Sequence, residues 1–166
     1  MKNALIILAL SLALLFLGFN IYTGNNVNYS VQKKIIVGEE ITYVVKYLAF
    51  EIGEIRLKVI KEIVDGNDTL YNAIAYIDSY EGIPFVNLHQ IYETKFDKNQ
   101  TSRYFKGLIL AEDTTYTKYF FDRNKKNIHI IKGRERTNHI WKDSITSYDR
   151  EYQDGLSLFY FARMRT

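Results

Sequence analysis

The chain contains no cysteine, one proline and one tryptophan. Without thiols there is no disulfide framework, no thiolate ligand or nucleophile and no lipid-modified N-terminal cysteine, so stability has to come from a packed core. Pro84 stands alone and no low-complexity tract occurs, which leaves no obvious linker between domains. A Gly-rich phosphate loop and a Gly-x-Ser-x-Gly elbow are both missing, and no fixed-length repeat runs along the chain. The three histidines, His89, His129 and His139, lack i, i+4 spacing, so a zinc site would need distant strands to converge. No cofactor or metal is expected.

What is there begins with an apolar leader. Lys2 is the only charge ahead of a run from Ala4 to Phe19 whose one polar residue is Ser11, the pattern of an export signal. As a helix this run spans about 24 Å, short of the roughly 30 Å hydrocarbon core. Gly18 and Gly24, however, have Phe16 and Tyr22 two places before them where a cleavage site wants a small residue. Residues 1–24 therefore read as a signal peptide or as an uncleaved N-terminal anchor, the one contact with a membrane expected. Residues 25–34, rich in asparagine and small polar groups, read as a tether, and residues 35–166 as a single β-rich domain of ordinary size.

In that domain the apolar period is two. Ile41, Tyr43, Val45 and Tyr47 alternate with Thr42, Val44 and Lys46, and Ile55, Leu57 and Val59 alternate with Arg56 and Lys58, so each run buries one face as a strand. The spacing predicts a short connection at Glu51–Glu54 around Gly53, and Asp65, Gly66, Asn67 and Asp68 predict a tight hairpin. Further strands are expected near 69–78, 101–110, 114–121, 128–132 and 139–148. Residues 85–96 fit a short helical turn followed by a strand, since Leu88, Ile91 and Tyr92 also match helical spacing. About seven strands with short turns indicate a mainly β fold: a curved antiparallel sheet, a sandwich or an open half-barrel.

The last element is helical. Asp154 can cap its start, and Leu156, Phe159 and Ala162, with Leu158 and Phe161 beside them, give an apolar face broad enough to need a sheet to cover. Asp154, Ser157, Tyr160 and Arg163 step by three along it. They are read as a docking stripe, with Arg163 reaching a carboxylate on the sheet, and ligand contact as the alternative.

Gly38, Glu39, Glu40, Ile41, Thr42 and Tyr43, then Ile52, Gly53 and Glu54, then Asp154, Ser157, Tyr160 and Arg163 together resemble the exported bacterial family catalogued as domain of unknown function 3108. The resemblance implies a periplasmic or cell-envelope protein, a mostly β fold similar to the half-barrel of lipoprotein carriers, and no assigned activity. It also implies further strands after the Tyr-x-x-Arg helix. Here Thr166 stands three residues past Arg163, so an unpaired edge strand or a half-covered helix is expected.

Charge is uneven. Lys118 to Lys142 holds eight basic residues against Asp122 and Glu135, whereas Val27 to Thr117 holds ten basic and thirteen acidic. A stretch this basic suits an anionic or amphipathic envelope ligand, or is simply a wet outer face. Nucleic acid is not expected, because no recognition helix or stacking motif accompanies it. Tyr43, Tyr47, Tyr76 and Tyr80 fit cross-strand packing or an apolar, sugar-stacking groove. Two functions follow: non-enzymatic binding of a lipid-like or amphipathic ligand or a partner protein, or hydrolysis of envelope polysaccharide by two carboxylates drawn from Glu39, Glu40, Glu51, Glu54 and Glu81. The residues favour the first. Oligomeric state is not legible.

Overall fold

Alternating apolar residues fold into strands that each pair with their neighbours in sequence. The computed structural model describes residues 34–66, 68–84 and 86–165. The leader and its expected helix lie outside them. Eight strands form one open antiparallel sheet in the order of the chain: β1 (Glu40–Tyr47), β2 (Phe50–Asp65), β3 (Asp68–Ser79), β4 (His89–Asp97), β5 (Ser102–Ile109), β6 (Thr115–Asp122), β7 (Asn127–Arg134) and β8 (Ile140–Ser147). One helix follows, α1 (Gly155–Arg165). No helix among the described residues is long and apolar enough to cross a membrane.

The expected hairpin is present, with Gly66 at φ 60° between β2 and β3. The expected connection at Glu51–Glu54 is not. Strand β2 already begins at Phe50, and the chain reverses at Leu48 and Ala49, where Leu48 adopts φ 54°. Leucine seldom accepts that conformation, so turn chemistry does not point to it. Gly53 lies inside β2 instead, opposite Val45 and Ser79. A Cβ there would sit 2.4 Å from the Asp78 carbonyl oxygen, which is why the strand can pass so close only as glycine. Residues 89–97 are strand, since their register with β3 and β5 satisfies the backbone on both sides.

One face of the sheet carries the core. Leu57 and Val59 of β2, Ala73 and Ala75 of β3 and Phe96 of β4 are buried there with Ile35, which precedes β1, and with Leu156 and Tyr160 of α1. The two alanines let α1 settle over β3 and β4. Each large apolar side chain buried contributes about 1.5–3 kcal/mol. The helix turns a different side to the sheet from the one its apolar residues suggest: Leu156, Ser157 and Tyr160 are buried, while Leu158 and Phe159 are about half exposed.

The two ends of the sheet differ. At the end holding the β2–β3, β4–β5 and β6–β7 turns, buried Asp97 accepts from Arg103 and Arg123, each at 2.9 Å, and the same arginines reach Asp68 and Glu151. The opposite end exposes Leu48, Leu88 and Leu110.

Candidate functional site

The stripe on α1 is a lock that sets the helix on the sheet. The Asp154 Oδ1 atom accepts from the backbone amides of Leu156 (2.9 Å) and Ser157 (3.0 Å), an N-cap worth about 1 kcal/mol. Its Oδ2 accepts from Thr94 Oγ1 of β4 at 2.5 Å and from Ser102 Oγ of β5 at 2.6 Å. Ser102 Oγ in turn accepts from the Asp154 amide at 2.7 Å and lies 2.9 Å from Ser157 Oγ. A buried carboxylate is costly unless its oxygens are satisfied, and here the sheet and the helix share that task. One turn further on, Tyr160 stacks on Phe96 with centroids 5.2 Å apart. Burial, and then the nearby Glu39 carboxylate, push the Tyr160 phenol well above its ordinary value.

A further turn on, Arg163 forms a two-pronged pair with Glu39, and that carboxylate holds the guanidinium above its ordinary value. Gly38, at φ 84°, donates to the Val59 carbonyl and so turns the chain into β1. The ring of Tyr43 meets Phe159 at 6.2 Å. Glu40 pairs with Lys58 on the far face of the sheet. Thus Gly38, Glu39, Tyr43, Asp154, Ser157, Tyr160 and Arg163 meet around α1, while Glu40 and Gly53 do not. Thr94 and Ser102 complete the lock, yet in the sequence they are ordinary strand residues with no marking signal.

The carboxylates considered for hydrolysis spread out. Glu39 faces α1 and Glu40 the other side, while Glu51 and Glu54 pair with Lys46 and Arg56. Glu40 and Glu54 share a face four positions apart in register, about 13 Å at roughly 3.3 Å per residue, beyond the range glycosidases use. Glu81 borders a cleft of about 250 Å³ with Ser79, Asn87 and His89, and that histidine is held by Asp78 at 2.9 Å. Tyr43 and Tyr76 lie on opposite faces and build no common groove.

A different set of aromatics does. The register continues the helix-bearing face across β4 to β7 as Tyr92, Phe105, Tyr119 and Ile130, with Phe121 and Ile128 in the next row. Tyr92 meets Phe105 at 5.6 Å, and Phe105 stacks on Tyr119 at 5.5 Å. The helix packs over β3 and β4, and on β5 to β7 Phe105, Tyr119, Phe121, Ile128 and Ile130 are only half-buried among the described residues. Two clefts of about 160 and 170 Å³ lie along this stretch and share Tyr119 as a wall, so they form one trough. Gly107 forms part of its floor. A Cβ there would stand 3.2 Å from the Tyr92 ring and 3.4 Å from Phe105. The other rim is Tyr152, Gln153 and Asp154, the approach to α1.

Alternation divides the basic stretch. Lys118 lies over Tyr116 on the far face, Arg123 joins the Asp97 network, Lys125 pairs with Asp122, and Arg134 with Asp113. Lys132 and Lys142 fall on the helix-bearing face. No group of metal-ligating residues occurs among the described residues. No family model, curated protein or solved structure matches the chain.

Proposed function

We propose that this protein is an exported, cell-envelope binding module without enzymatic activity, and that the trough beside α1 holds an apolar or amphipathic ligand. The observation that carries the reading is the mismatch between cover and surface: the helix caps one half of an apolar face that the register extends over the other half. Half-buried aromatics in a row next to a rigid helix edge offer the mostly apolar, preformed lining that small-molecule sites use. The leader from Ala4 to Phe19 supports export, and the bending expected of a sheet this wide would deepen the trough.

Native mass spectrometry of the purified full chain tests this. A bound amphiphile is expected to co-purify and to disappear in Gly107→Val, whose side chain would fill the floor between Tyr92 and Phe105. A wild-type chain that is empty, and that takes up no added amphiphile, would remove the proposal.

A further inference from the structure

We infer that the ligand of the trough is a single-chain anionic amphiphile whose head group lies between Lys132 and Lys142, an inference that rests on the trough being a ligand site. On β7 Ile128 and Ile130 line the trough, and Lys132, opposite Thr117, is the next residue on the same face, so the apolar row is followed by a cation just beyond the lining. Across the strand pair, Lys132 stands directly opposite Lys142. Like charges in that position repel and destabilise an antiparallel pair. Neither ammonium has a carboxylate partner among the described residues, although Arg134, two positions on, is paired with Asp113. One anion between the two lysines turns the repulsion into two charge-assisted contacts.

The dimensions select one chain. From Lys132 to Ile128 the face runs about 13 Å at roughly 3.3 Å per residue, which suits a medium-length alkyl group laid along Ile130 and Tyr119. The clefts, about 160 and 170 Å³, together reach only the lower end of the roughly 300–1,000 Å³ of small-molecule sites, a size that suits one chain better than two. A carboxylate and a phosphate monoester share the required chemistry, a compact anion on an alkyl tail.

Binding is read as a mass shift of the full chain in native mass spectrometry. The full chain is titrated with decanoate, decyl phosphate, decanol and inorganic phosphate. At least one of the two anionic amphiphiles is expected to bind roughly tenfold tighter than decanol, the equivalent of one contact to a charged group, and the stronger of the two identifies the head group. Inorganic phosphate alone is expected to give no shift. In Lys132→Gln/Lys142→Gln the preference should vanish while decanol binding persists, which also shows that the variant is folded. Decanol binding as tightly as both anions, a preference that survives the double substitution, or inorganic phosphate binding as well as the amphiphiles would overturn the head-group assignment and leave the trough standing. Failure of every alkyl probe would remove the trough reading itself.

Discussion

Asp154 and Ser102 exchange two hydrogen bonds across 52 residues of chain: the Ser102 hydroxyl donates to Asp154 Oδ2 at 2.6 Å and accepts from the Asp154 backbone amide at 2.7 Å. The pair joins the first residue of β5 to the cap of α1, and Ser157 and Thr94 close the cluster around it. Asp154→Ala is expected to cost about 1 kcal/mol for the lost cap and roughly 1–3 kcal/mol for buried hydroxyls left without their acceptor. Urea denaturation measures the sum. A loss below about 1 kcal/mol would mean that the buried cluster contributes little and that the helix is held by Leu156, Tyr160 and the Arg163–Glu39 pair.

Alkaline pH should loosen the same helix. An ordinary phenol ionises near 10. The Tyr160 phenol is raised above that, first by burial and then by Glu39, so above about pH 10 the unfolded chain releases a proton that the folded chain keeps. This contribution to stability is complete below about pH 10 and fades as pH climbs toward the raised folded value. By pH 11, one unit above the ordinary value, about 1.4 kcal/mol of it has been lost. Tyr160→Phe is expected to flatten the fall in stability between pH 9 and 11, with a residual slope from Tyr92 and Tyr104, whose phenols burial also raises. Denaturation at both pH values decides the matter, and an unchanged slope would contradict it.

Gly53→Ala is the third test. In a strand this exchange ordinarily gains stability through the unfolded chain. Here the added Cβ meets the Asp78 carbonyl oxygen at 2.4 Å and the Ser79 Cα at 3.0 Å, both backbone atoms of the neighbouring strand. The expected outcome is a loss of about 1–3 kcal/mol, read as a lower melting temperature. No loss would show that β2 and β3 can part there at little cost.

Strand alternation made most of the sheet legible, because period two writes itself into residues such as Leu57 and Val59. The Asp65–Asp68 hairpin was legible too, through residues that tolerate positive φ. The turn at Leu48 was hidden, since nothing in a leucine announces that backbone, and Gly53 drew attention to a bend that is really a close approach of strands. At the site, the stripe from Asp154 to Arg163 was readable as a docking device. Its receptors were not: Thr94 and Ser102 gain their meaning only from a helix that arrives more than fifty residues later. The trough escaped for the same reason, because Phe105 and Tyr119 read as core until the width of α1 is known. Lys132 and Lys142 were submerged in a basic stretch that alternation later divides between two faces.

Strand order that follows chain order lets each hairpin form as soon as its second arm has been made, at little loop-closure cost. The exception is the eleven-residue helix α1, which must travel back over β3 and β4 and clamp onto Glu39, just before β1. During synthesis, the greasy underside around Phe96 and Ala73 consequently stays bare until α1 has been made, and a nascent polypeptide stalled short of Tyr160 would be sticky in proportion.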